Sequence, residues 1–226
     1  MSNDPEQLAH LEWLGYVQPV GLVVSIPALL AAQAQVNQHI APDHQRFLAS
    51  LPRDTHDDIL PAVHDFAEFA QSVLGWEAAD LIPLPETAVL PEDMVALEVT
   101  LPEYHETLRP TYGVREFAPP NGSAPWLMLI QCQPIGLALD APTAASDRHW
   151  HASPHAKFER LLRETGVPLG LLCNGTHLRL IYAPRGETSG YLTFVVAEML
   201  QVAGRPIFAG LYMLLSAERP FSLPEK

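Results

Sequence analysis

The segment Trp126-Leu-Met-Leu-Ile-Gln-Cys-Gln133 constrains the fold more than any other stretch of the chain. An uninterrupted apolar run of this length reads as a β-strand buried on both faces, which demands cover above and below the sheet that contains it. Gln131 and Gln133 close the run two residues apart, so their side chains leave the strand on the same face. Two polar groups projecting together from the end of a buried strand suit a site. They equally suit a strand end whose polar atoms are satisfied by backbone groups.

The rest of the chain divides into a helical beginning and a mixed remainder. Residues 5–14 read as a helix and 21–25 as a short strand. Ser25 is placed to cap a second helix with Pro27 in its first turn, running to about residue 40, and a short helix covers 43–51. Between 61 and 74 the apolar positions Val63, Phe66, Phe69, Ala70, Val73 and Leu74 recur at helical spacing, and Gly75 stops the segment. After a linker containing Pro83, Pro85 and Pro91 come three strand patterns, at 94–101, 112–117 and 126–133, separated by Pro-, Asn- and Gly-rich connections. These suggest a meander. Ser153-Pro154 opens a helix with Phe158, Leu161 and Leu162 on one face and Gly166 at its end. Asn174-Gly175 is a tight-turn signal between strands at 168–173 and 177–183, residues 191–196 read as a further strand, and 205–216 as a final apolar helix. Asn121-Gly-Ser reads as another turn. Trp13, Trp76 and Trp126 are expected in the core. The expected organisation is a helical N-terminal extension over residues 1–60, an α/β domain with a mixed sheet over 61–217, and a tail or linker over 218–226 leading to a downstream domain.

The formal charge of −13 is unevenly placed. Residues 1–108 hold two basic and 17 acidic residues, whereas 109–226 hold 11 basic and nine acidic ones. The dispersed acidic residues of the first half favour solubility, with docking onto a basic partner as the alternative use. No basic segment followed by an apolar stretch opens the chain, and no stretch approaches a membrane-spanning length, so a cytoplasmic protein without a membrane partner is expected. Cys132 and Cys173 lie in apolar strand-like runs and read as reduced, buried thiols.

The succession of helix, three strands, helix and strand resembles the αβββαβ core of the PD-(D/E)xK nuclease superfamily, a restriction-endonuclease-like α/β fold. In that family an Asp follows a Pro at the start of the second strand, and a Glu-x-Lys pair sits on the third. Arg109-Pro110-Thr111-Tyr112 matches the first motif with Thr111 at the Asp position, and Gln131-Cys132-Gln133 matches the second with amides at both charged positions. Val167-Pro-Leu-Gly-Leu-Leu-Cys-Asn-Gly-Thr-His-Leu-Arg-Leu-Ile-Tyr182, Phe158-Glu-Arg-Leu-Leu-Arg-Glu-Thr-Gly-Val and Ala183-Pro-Arg-Gly-Glu-Thr-Ser-Gly resemble the N-terminal nuclease-like domains of type IIG-like and DISARM-like phage-defence adenine DNA methylases. The resemblance implies a degenerate nuclease domain whose vestigial positions are Thr111, Gln131 and Gln133. Its implied partners are double-stranded DNA and other subunits of a defence complex. No methylase Asn-Pro-Pro-Tyr or Asp-Pro-Pro-Tyr motif occurs, so S-adenosylmethionine is implied only for a downstream domain and no cofactor or metal for this chain.

The chemistry agrees with loss of catalysis. Phosphodiester hydrolysis needs a divalent cation to offset developing charge, and Mg2+ sites ordinarily include one or two carboxylates. Two amides and a hydroxyl bring oxygen ligands without negative charge, and an amide cannot serve as a general base near neutral pH. An active nuclease would need migrated ligands, for which Glu98, Glu116 and Asp140 are the candidates near strand ends. Lys157, Arg160, Arg163, Arg179 and Arg185 form the densest basic group and are the candidate nucleic-acid contacts, although Glu159 and Glu164 interleave with them as on a solvated helix face. His149, His151 and His155 have spacing compatible with zinc but lack a fourth ligand, and Gly186-Glu-Thr-Ser-Gly190 has neither the Lys nor the following helix of a phosphate loop.

Overall fold

The structure is a computed structural model and describes residues 4–86, 89–92, 94–116, 119, 125–142 and 150–221. In chain order the regular elements are α1 (Pro5–Val17), β1 (Val20–Gly21), α2 (Ile26–Ala31), α3 (Ala41–Ser50), α4 (Phe66–Ser72), β2 (Ile82–Pro83), β3 (Val99–Leu101), β4 (Glu106–Leu108), β5 (Tyr112–Arg115), β6 (Trp126–Cys132), α5 (Pro154–Thr165), β7 (Leu169–Cys173), β8 (His177–Tyr182), β9 (Gly190–Val195), α6 (Val196–Met199) and α7 (Arg205–Leu215).

Seven strands form one mixed sheet in the order β1-β9-β8-β7-β6-β5-β2. Among the described strands only β6 and β7 run parallel, and α5 makes the crossover between them. This is the connection that two parallel neighbours require. Strands β3 and β4 pair separately as a short ribbon. The apolar run 126–130 therefore sits inside the sheet, between β5 and β7, and both its faces are covered. On one face Met128 and Ile130 join Trp13, Phe47, Phe194 and Phe208 in a core built with the helical layer. On the other, Leu129 joins Phe158, Leu162, Leu172 and Ile181 beneath α5 and the ribbon. The result is a three-layer α/β protein.

Local chemistry explains the helix that governs the site. Ser153 Oγ accepts the Ala156 N–H at 3.2 Å, and Gly166 ends α5 at φ 73° while its N–H reaches Leu162 O. The apolar face of α5 lies close on β7 because Gly170 leaves room. A Cβ there would stand 2.7 Å from Phe158 and 2.8 Å from Leu162.

Several expected elements are shorter or lie elsewhere, most of them for a tertiary reason. The helix expected from Ser25 to about residue 40 stops at Ala31. Gln33 takes φ 52°, Arg219 donates to the carbonyls of Ala32 and Gln33, and His10 Nε2 meets Ala34 O at 2.8 Å. The helix expected from residue 61 begins only at Phe66, because Val63 N is bonded to Gly175 O and Asp65 supplies the cap. The first strand of the expected meander is not 94–101. That stretch makes a 3-10 turn and then β3 of the separate ribbon, while the sheet's edge strand is Ile82–Pro83 from the Pro-rich linker. An edge is where a strand tolerates a proline. The short strand expected at 21–25 is β1, shifted to Val20–Gly21. The expected 112–117 strand ends at Arg115 among the described residues, and Phe117 and the Asn121-Gly-Ser turn lie outside them.

Residues read as an N-terminal extension share the main core: Trp13 stacks on Phe194 at 6.3 Å, Phe47 on Phe208 at 5.0 Å, and β1 pairs with β9. Trp13, Trp76 and Trp126 are all buried. No helix among the described residues is long and apolar enough to cross a membrane.

Candidate functional site

The sheet brings Thr111 and Gln131 into contact. Thr111 precedes β5, and its N–H donates to Ile130 O of β6 at 2.8 Å while its own carbonyl accepts from Leu84 N at 2.9 Å. Its hydroxyl oxygen accepts the Cys132 N–H at 2.9 Å and lies 3.4 Å from Gln131 Nε2. Thr111 is thereby fixed across two strands, whereas the Gln131 amide is held only by long contacts, the second being 3.4 Å to Cys132 O. Gln133 continues beyond β6: its N–H donates to Cys173 O at 2.7 Å. Asn174 secures the next residues, its Nδ2 donating to Leu137 O at 2.7 Å and its carbonyl accepting from Gly136 N at 2.9 Å. The Asn-Gly turn thus shapes this end of the site as well as joining β7 to β8.

Gln131 and Gln133 face α5 and line a cavity of about 230 Å³ together with Glu86, Glu106, Arg109 and Lys157. Charged groups do stand beside the two amides, but they come from other elements, and Glu106, Lys157 and Arg109 are each held in an ion pair. Lys157 Nζ is 2.5 Å from Glu106 Oε1, and both side chains are mostly shielded from solvent. Arg109 Nε donates to Glu98 at 2.8 Å, and its guanidinium also reaches Pro85 O. Glu98 is therefore committed to Arg109, Asp140 to Arg179, and Glu116 lies beyond the opposite end of β5, where its N–H bonds Pro125 O. None of these three carboxylates lines the cavity.

The five basic residues expected as nucleic-acid contacts are each engaged. Lys157 pairs with Glu106. Arg160 pairs with Glu103 at 3.1 Å and lies over the Trp150 ring, and Arg163 pairs with Glu159 at 2.8 Å. Arg185 donates to the carbonyls of Arg163 and Glu164 at the C-terminal end of α5, where the helix dipole favours a cation. Arg179 is the most buried: it grips Asp140 through two bonds of 2.5 and 2.8 Å, donates to Thr193 Oγ1, and packs on Tyr191 at 4.4 Å. The Arg179 guanidinium holds the Asp140 carboxyl below its ordinary range.

His155 meets Tyr191 edge-on at 4.8 Å and stands 3.6 Å from Glu159. Burial first, and the Arg179 charge second, push it below the usual imidazole range. His151 is exposed, and His149 lies outside the described residues. Among the described residues no three His, Cys, Asp or Glu side chains converge as a metal site. Cys132 and Cys173 are free thiols, raised to about 12 and about 11 mainly by burial.

Two ion pairs, one in the cavity and one away from it, escape sequence reading. Glu106 reaches Lys157 across 51 residues through a three-residue strand too short to register as a pattern, and Asp140 reaches Arg179 across 39. The alternation Glu106-Thr-Leu108 is the one local signal for the first.

Fold and site define a three-layer α/β protein with an uncharged polar cluster at the end of its central parallel strands. In comparisons with protein-family models, curated proteins and solved structures, no match to the chain was found.

Proposed function

We propose that this chain is a noncatalytic, nuclease-like domain of a restriction-modification or phage-defence methylase, serving complex assembly or DNA engagement. The observation that carries the reading is the meeting of Thr111 with Gln131 at the head of β5 and the end of β6. In the resemblance noted above these positions hold carboxylates, and here they hold a hydroxyl and an amide. The succession α4, β2, β5, β6, α5, β7 supports it, since that order is αβββαβ once the separate ribbon is set aside. The pairing of all five candidate cations favours assembly over phosphate contact, because each would have to give up an existing partner to bind DNA.

A second reading, an active nuclease with migrated ligands, draws support from Glu106 and Lys157, which stand in the same cavity as Gln131 and Gln133. One experiment separates the two. Supercoiled plasmid incubated with the purified protein and Mg2+ or Mn2+ is expected to stay intact. Cleavage that disappears in Glu106→Gln would overturn the noncatalytic reading. Labelled duplex followed by fluorescence anisotropy reports DNA engagement separately, with a steep loss of affinity on adding salt expected for phosphate contacts.

A further inference from the structure

On the opposite side of the sheet, a second cavity of about 450 Å³ opens between α1, the segment leading into α3, and the start of α7. Its size falls within the range of small-molecule sites. Leu8, Ala9, Val36, Ile40 and Ala209 give it apolar walls, and Leu8 remains 46% exposed on the α1 side. Its cation is Arg205. Among the described residues every other Lys and Arg has an ion-pair, hydrogen-bond or ring partner, but Arg205 has none. Arg205 Nε is also shielded from water without an acceptor. A shielded guanidinium N–H without an acceptor is unfavourable, and a planar two-oxygen anion satisfies it best.

We infer that this cavity is a binding site for a small organic carboxylate with an apolar body, its oxygens on Arg205 and its chain against Leu8, Val36, Ile40 and Ala209. Phosphate alone would leave the apolar walls unused, and an uncharged apolar molecule would leave the guanidinium unsatisfied. Glu12, exposed on the same wall, is the opposing charge and moderates affinity for an anion.

Octanoate is the probe, titrated calorimetrically into the whole chain with octylammonium as the charge-reversed control. Saturable one-to-one octanoate binding is expected. It should weaken about ten- to hundredfold in Arg205→Gln, as loss of a charge-assisted contact predicts. Glu12→Gln should tighten it, and octylammonium should not compete. Because Arg205 has no partner to lose, Arg205→Gln should melt no lower than the wild type. Leu8→Ser, uncharged and on an exposed position, tests the apolar wall separately from the charge and should also weaken binding. Absence of saturable binding at millimolar octanoate, equal binding of octylammonium, or affinity unchanged in either Arg205→Gln or Leu8→Ser would overturn the inference.

Discussion

The Arg179–Asp140 pair decides whether the most buried cation of the basic group is a structural strut or a ligand held in reserve. The Arg179 side chain is 7% exposed and that of Asp140 64% exposed, so the two partners are unequal. Asp140→Asn preserves shape while removing the charge. It leaves a shielded guanidinium with the Thr193 hydroxyl, the Tyr191 ring and one amide oxygen. A hydrogen bond to a charged group contributes about 1.5–3 kcal/mol, and the exposure of Asp140 discounts this toward about 1–2 kcal/mol. Arg179→Gln removes the shielded member with its stem packing and should cost somewhat more, about 2–3 kcal/mol, while the freed Asp140 simply hydrates. The double mutant should then cost less than the sum of the singles, by about 1 kcal/mol. pH supplies the sign. Asp140 has its folded-state pKa lowered, so its contribution is complete above the unfolded carboxyl value of about 4 and fades as pH falls through the folded value. Urea unfolding followed by tryptophan fluorescence should show a gap between wild type and Asp140→Asn at pH 7 that shrinks in acid. Additive single mutants, or a gap equally wide well below pH 4, would refute the reasoning.

Two further outcomes follow from packing. At pH 8 the native protein should resist iodoacetamide at both thiols, since burial raises Cys132 to about 12 and Cys173 to about 11, whereas guanidinium-unfolded protein should take two labels by mass spectrometry. Rapid native labelling of Cys132 would contradict this. Gly210→Ala should destabilise despite a helix-propensity gain of about 1 kcal/mol, because its Cβ would stand 2.6 Å from the ring of Trp13, itself fully buried and bonded to His10. Overpacking of about 1–3 kcal/mol outweighs that gain. Gly15→Ala, with nothing within 4 Å, should stabilise by up to about 1 kcal/mol, and thermal melting compares the pair.

What was legible in the sequence depended on whether the signal was local. The run 126–133, the Ser153 cap with Gly166, and the Asn174-Gly175 turn each carry their own chemistry, and the corresponding elements form where expected. The Ser25 helix had a cap and apolar spacing but no information about Arg219, almost two hundred residues away, whose bonds to Ala32 and Gln33 accompany the helix end. Likewise the edge strand β2 has two residues and a proline, and it exists because β5 offers it a partner. At the site, Thr111 and Gln131 were singled out together from the sequence, and the sheet brings them within 3.4 Å. The Glu106–Lys157 pair was not, because neither residue departs locally from an ordinary surface helix or a polar connection.

That pair gives the neutral site its physical sense. Gln131 and Gln133 face a cavity in which Lys157 already balances Glu106, and Arg109 on its wall already balances Glu98. A divalent ion entering beside the amides would find no carboxylate on β6, and to gain a second carboxylate beyond the exposed Glu86 it would have to draw Glu106 from Lys157, exposing an ammonium to a dication in a shielded pocket. Both steps are unfavourable: the first loses a charge-assisted bond, and the second sets like charges together where water screens them weakly. Gln131→Glu on its own would add a third carboxylate to a cavity that already sets Glu86 and Glu106 beside Arg109 and Lys157, so a single added charge should unbalance that arrangement before it creates a metal site. The absence of charge at the strand end and the internal pairing around it are thus mutually consistent, and building a metal site there requires changing both.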